Sequence, residues 1–173
     1  MLGIQFREPC IPHYVSDYSV VEIQTTGVNP GTEDVLEISA LKVRNNDAVA
    51  VYSTRIKPAG VCVGEMYNTI SKLDRAVNDL QDFIGNDVVL VYSRKGDSEG
   101  RLREQTFMNA CVDVRDVVRR VLPDLQNDML ETVCAHYCIN TDGERRGLRN
   151  CYLVKACYEM LHAEFGENMF GDS

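Results

Sequence analysis

The chain has 173 residues, of which 45% are hydrophobic and 25% charged, and its formal net charge is −8. That length suits one well-cored domain, so residues 1–173 are read as a single unit, and the ordinary composition excludes a disordered or low-complexity chain. The acidity weighs against strong nonspecific nucleic-acid binding, which draws most of its affinity from phosphate neutralisation, although a basic patch on one face remains compatible with it.

In chain order, Ser19 to Ile23 reads as a buried strand. After the turn signal Asn29-Pro30-Gly31, a second strand is expected over Val35 to Arg44. Asn45-Asn46-Asp47 then turns the chain into a third, Ala48 to Ile56, giving an antiparallel meander. Leu73, Ala76, Val77, Leu80, Phe83 and Ile84 recur at helical spacing and predict a helix over Lys72 to Ile84, with Ser71 and Asp74 as a capping-box-like start. A buried strand at Val88 to Tyr92, a helix around Glu99 to Asn109 and a short strand at Cys111 to Val114 follow. Val114, Val117, Val118 and Val121 mark a helix ending near Pro123; Met129, Leu130, Val133, Cys134 and Tyr137 mark another, and the last runs from Gly147 to Phe165. The order implies an α/β fold, a mixed five-stranded sheet flanked by helices.

The apolar runs are too short to span a bilayer, and the N-terminus has no basic region followed by an apolar core, so the expected location is cytoplasmic, away from membranes. Seven cysteines, an odd number without small-scaffold spacing, read as free thiols in a reducing compartment. Cys134, His136 and Cys138 invite a zinc reading. On a helix, however, the two cysteines share a face and His136 points elsewhere, so buried structural cysteine is the preferred reading.

The stretch carrying chemical information is Val20 to Gly27, VVEIQTTG. Residues i and i+2 of a strand point to one face, so Glu22 and Gln24 present a carboxylate and an amide side by side. A strand ending in two such carboxylates, followed by Thr-Thr-Gly, resembles the first motif of the DEDDh 3′-to-5′ exonucleases, the family of the DNA polymerase III epsilon subunit. The resemblance covers about Tyr18 to Phe165 and implies a ribonuclease-H-like fold. In that family a His-Asn pair and then an aspartate follow a buried strand; here VLVYSRKGD places Tyr92 and Ser93 at the pair and Asp97 at the aspartate, with Ser98 there if the register shifts by one. The third motif resembles H-x-A-x-x-D, and this chain reads Arg145-Arg146-Gly147-Leu148-Arg149-Asn150. The general base thus becomes Arg145 and the last metal ligand Asn150, leaving Asp97 as the one unmodified member of the five positions Glu22, Gln24, Asp97, Arg145 and Asn150.

Charge follows from the resemblance. The family site offers four carboxylates to two divalent cations. Here Glu22 and Asp97 leave two negative charges, and Arg145 brings the sum to minus one. Glu22 is also one methylene longer than aspartate, and a ligand displaced by roughly an ångström can lower the rate about 100-fold. Arginine stays protonated, so Arg145 cannot take a proton from water as histidine does. The expectation is a catalytically degenerate exonuclease-like domain, a pseudoenzyme that binds a protein partner of the replication or repair machinery or single-stranded nucleic acid. No cofactor is expected. The alternative is a weakly active 3′-to-5′ exonuclease using magnesium or manganese on Glu22 and Asp97. Arg94, Lys95, Arg145, Arg146 and Arg149 are the candidate phosphate-holding patch, guanidinium forks being suited to phosphate oxygens. A packing reading stays open beside it: Glu22 as a buried acid paired with an arginine, Gln24 as a core amide, Asp97 and Asn150 as loop or cap residues, and the arginines as a solvated helix face.

Overall fold

The computed structural model describes residues 3–6, 13–26, 35–56, 63–92, 104–143 and 147–171, with the backbone alone at 3–6, 63–71 and 104–107. Strands β1 (Gly3–Phe6), β2 (Tyr18–Thr25), β3 (Val35–Arg44) and β4 (Asp47–Arg55) precede helix α1 (Val63–Ile84). Then come β5 (Val88–Val91), β6 (Glu104–Phe107), β7 (Cys111–Asp113), α2 (Val114–Val121), α3 (Leu130–His136), α4 (Gly147–Phe165) and a 3-10 turn, Gly166–Phe170. The main sheet has the order β4-β3-β2-β5-β7. Its first three strands form the expected antiparallel meander, and β5 and β7 extend it in parallel.

Strand alternation sorts the core onto two faces. Val21, Ile38, Ala40 and Val89 pack against Ala76, Val77, Leu80 and Ile84 of α1. Their neighbours Val20, Leu41, Val43, Leu90 and Val112 pack on the other face against Val117 and Val118 of α2, Val133 of α3 and Val154, Tyr158 and Leu161 of α4. The hairpin between β3 and β4 turns on Asn45 and Asn46, both at positive φ (50° and 66°). Asparagine tolerates that left-handed conformation, which a two-residue hairpin requires. Helix α4 ends where Gly166 takes φ +57°, a conformation that stops the helix at little cost for glycine.

Two expectations are corrected. The helix around Glu99 to Asn109 is not formed where the chain is described: residues 104–107 are β6, paired in parallel with β1 as a separate two-stranded sheet. Thr106 and Phe107 suit a strand, and the partner lies about a hundred residues away, so local periodicity carries no trace of it. Asn109 is buried beyond the strand, its amide donating to the carbonyls of Gly85 (2.9 Å) and Asp87 (2.8 Å). Helix α1 also begins at Val63 rather than Lys72, so Ser71 lies inside it rather than at its start. Met66 and Ile70 continue the i, i+4 series of Leu73, Val77 and Leu80 upstream, which is the sequence signal for the longer helix.

Candidate nucleic-acid-binding cleft

Glu22 and Gln24 follow Val20 on the face that α4 covers. Pairing with β3 sets Glu22 opposite Ser39 and Gln24 opposite Glu37. Directly opposed residues of an antiparallel pair share a face, so four polar side chains form one patch at this end of the sheet. The register then shifts between Gln24 and Thr25, an irregularity of the kind that re-aims side chains beside functional sites.

Helix α4 closes the patch from above. Asn150, in its first turn, donates from Nδ2 to Glu22 Oε1 at 3.0 Å. A carboxylate can only accept, so the amide must turn its NH2 toward Glu22. One residue on, the Cys151 thiol lies 3.6 Å from the Ser39 carbonyl, and burial, reinforced by the Glu22 charge, pushes that thiol above its ordinary range. Close seating depends on Gly147. A Cβ there would stand 2.6 Å from Ser39 Oγ and 3.1 Å from Glu37 Oε1.

Glu37 is buried, and its charge is met by hydrogen-bond donors rather than solvent. Its Oε1 accepts from the hydroxyls of Ser39 (3.0 Å) and Ser53 (3.3 Å), and Arg55 Nε lies 3.5 Å from Oε2. Sequence reasoning missed Glu37, Ser39 and Gly147 as parts of this site. A signal was available: Glu37 and Ser39 alternate with Ile38 and Ala40, polar residues set among the apolar residues of Val35 to Leu41, as Glu22 and Gln24 are on β2.

Tyr92, at the end of β5, is half-buried and donates to the Asp128 carbonyl at 2.8 Å; burial pushes its phenol well above the ordinary range. The Asp128 carboxylate is gripped by Arg115 Nη2 and Arg119 Nε, each at 2.6 Å, and these bonds, Arg115 first, hold its pKa well below the usual carboxylate range. Tyr92 is thus tied to the segment before α3 rather than presented to the cleft as an acid or base.

Of the sequence-derived site residues, the structure brings Glu22, Gln24 and Asn150 to one face. Asp97, Arg145, Arg146, Arg94 and Lys95, with Ser93 and Ser98, lie outside the described residues. Arg149 is half-buried at the root of α4, with Nη2 3.4 Å from the Asn140 carbonyl and Nη1 close over Gly143. Its guanidinium is thereby engaged by the loop before α4. The Cys134, His136 and Cys138 cluster does not close either. Helix α3 ends at His136, Cys138 lies beyond it at φ +55°, and only Cys134 is buried. Among the described residues no three His, Cys, Asp or Glu side chains converge so as to hold a metal ion.

This sheet order and helix placement are those of the ribonuclease-H-like fold of the exonucleases. Exonuclease X, solved in complex with 5′ overhanging duplex DNA, superposes with a TM-score of 0.62 at 15% identity over 89% of this chain and 99% of its own. The nuclease domain of 3′hExo, a DEDDh family member solved bound to rAMP, gives 0.60 at 11% identity over 88% and 95%. No family model matches the chain. It nevertheless has the fold of these exonucleases and is similar in sequence to DNA polymerase III chains. It is 24% identical to the PolC-type DNA polymerase III of Oceanobacillus iheyensis over 78% of its length, and 19% identical to the DNA polymerase III epsilon subunit of Aquifex aeolicus over 79%. The chain spans 11% of the former and 76% of the latter. No helix among the described residues is long and apolar enough to cross a membrane.

Proposed function

We propose that the chain is a catalytically degenerate exonuclease-like module, which holds its partner without cutting it. The observation that carries this reading is the Asn150-to-Glu22 hydrogen bond of 3.0 Å. An amide N–H directed at Glu22 Oε1 occupies an oxygen that a divalent cation would need, and brings no compensating charge. Gln24 on the same face is neutral as well. Glu37, the other carboxylate of this patch, is already held by Ser39, Ser53 and Arg55, so the donors among the described residues do not fit two divalent cations, whose charge calls for several carboxylates and waters at short range. Arg145, at the position of the general base in the resemblance, stays protonated and so cannot take a proton from water.

Single-stranded nucleic acid is the partner supported by a further structural neighbour, E. coli ExoI, solved as an ssDNA complex, and the two neighbours above were solved with 5′ overhanging duplex DNA and with rAMP. A protein partner in replication or repair is the second reading, favoured by the net charge of −8, which repels phosphate over most of the surface. The residual-nuclease alternative asks Glu22 to exchange Asn150 for metal and Asp97 to supply the second carboxylate.

Ligation by metal is read out as stability, because a ligand that binds only the folded state raises the melting temperature. Millimolar magnesium should leave the melting temperature of the parent chain unmoved. It should raise that of the combined variant Glu22→Asp, Gln24→Glu, Arg145→His and Asn150→Asp. Strong stabilisation of the parent by magnesium or manganese would overturn the proposal.

A further inference from the structure

We propose that Cys134 and Cys157 form a redox-active dithiol, which a peroxide oxidises to a disulfide that ties α3 to α4. Their sulfur atoms lie 3.6 Å apart, Cys134 on the inner side of α3 and Cys157 facing it from α4, and both side chains are buried. A disulfide needs about 2.05 Å, so the two sulfurs must close by roughly 1.5 Å. Rotation of two side chains, with a small approach of a seven-residue helix, suffices for that. Helix α3, seven residues against the nineteen of α4, is the element that would shift, pivoting on its start, where Asn127 Oδ1 accepts from Met129 N (3.0 Å) and Thr132 Oγ1 (2.6 Å).

The two thiols also differ in their electrical surroundings. The hydrogen bond from Cys157 lowers the Cys134 thiol below its ordinary range, with help from the Arg149 charge and against burial and Glu131. The same contact and burial push Cys157 up. Cys134, the thiol shifted down, is assigned as the attacking sulfur once deprotonated, and Cys157 as the resolving thiol. Arg149 Nε is buried without a hydrogen-bond partner among the described residues, so the guanidinium has capacity left for an anion beside it. The Cys134 thiolate attacks one oxygen of hydrogen peroxide, breaking the O–O bond to give a sulfenic acid and hydroxide. Cys157 then attacks the sulfenic sulfur, and its proton leaves with the displaced oxygen as water. Two thiols are oxidised, one peroxide is reduced and two waters form.

The disulfide would close a loop of 23 residues between helices that pack on the cleft-bearing face of the sheet. Constraining a loop of that length in the unfolded chain corresponds to a melting-temperature rise of roughly 7–14 °C for a protein of this size. The test treats the purified full chain with hydrogen peroxide, blocks remaining thiols, and maps peptides without reduction. A peptide pair linked through Cys134 and Cys157 is expected, together with the rise in melting temperature, both reversed by dithiothreitol and both absent in Cys157→Ser. Recovery of Cys134 and Cys157 as blocked thiols, their over-oxidation to sulfinic acid, or cross-links running only through the exposed Cys138 would overturn the proposal. If Cys157→Ser fails to fold, Cys134→Ala serves as the control, and the peptide map of the parent chain still decides.

Discussion

Gly147→Ala separates two opposite expectations for the seat of α4. Helix propensity alone favours alanine over glycine by about 1 kcal/mol in a helix interior, and by less at a first turn. The packing says the reverse. A methyl group at 147 would stand 2.6 Å from Ser39 Oγ, 3.0 Å from Ser39 Cβ and 3.1 Å from Glu37 Oε1. No flexible chain end can swing away there, because Ser39 lies in the middle of β3 and its hydroxyl donates to the buried Glu37 carboxylate. Overpacking of this kind typically destabilises by 1–3 kcal/mol. A loss of about 2 kcal/mol, or roughly 4–8 °C in melting temperature, is therefore expected. Urea denaturation of Gly147→Ala, Ser39→Gly and the double variant gives the coupling directly; it should exceed about 0.5 kcal/mol, with the double variant recovering part of the loss. A Gly147→Ala protein as stable as the parent, or more so, would show that α4 is not seated as described and would remove the geometric basis for the Asn150–Glu22 bond.

Asp128→Ala should destabilise by about 3 kcal/mol in chemical denaturation, because it breaks the pair of the Asp128 carboxylate with the buried Arg115 guanidinium. Since the Asp128 pKa is depressed in the folded state, its contribution is fully present above the unfolded value near 4 and is lost as pH falls through the folded value. The parent and Asp128→Asn stability curves should therefore converge only below about pH 4; curves that run parallel down to pH 2 would contradict this. Leu80→Ala, in the core under α1, should cost about 3 kcal/mol, and a loss below about 1 kcal/mol would place α1 elsewhere. Binding of a short single-stranded oligonucleotide, followed by fluorescence anisotropy, should weaken steeply with salt and fall when Arg145 and Arg146 become alanine. Arg149→Ala, whose guanidinium is engaged by the loop at Asn140, should lower the melting temperature more than the affinity; the opposite ranking would show that Arg149 faces the ligand.

Periodic elements bounded by strong turn chemistry were legible in the sequence. Strand β3 over Val35 to Arg44, stopped by two asparagines, and α4 over Gly147 to Phe165 have the bounds that their patterns predict. Strand β6 was not legible, because its partner is the distant β1 and neither strand alternates enough to announce itself. In the site, Glu22, Gln24 and Asn150 were readable because their spacing carries a pattern. Glu37, Ser39 and Gly147 became visible only with the register of β2 on β3 and the close approach of α4. Side-chain direction at Arg149 followed from neither pattern nor spacing. It depends on the loop at Asn140 to Gly143, whose path the sequence does not encode locally.

The most direct test of catalytic degeneracy is a trimming assay. Purified protein is incubated with 5′-labelled single-stranded DNA and RNA in magnesium or in manganese, and the products are resolved at single-nucleotide length. Full-length oligonucleotide is expected in every lane, with any trace degradation equally present in Glu22→Ala and Asp97→Ala. Metal-dependent shortening from the 3′ end that disappears in either variant would contradict the account, and would mean that Glu22 gives up Asn150 to hold a metal ion after all.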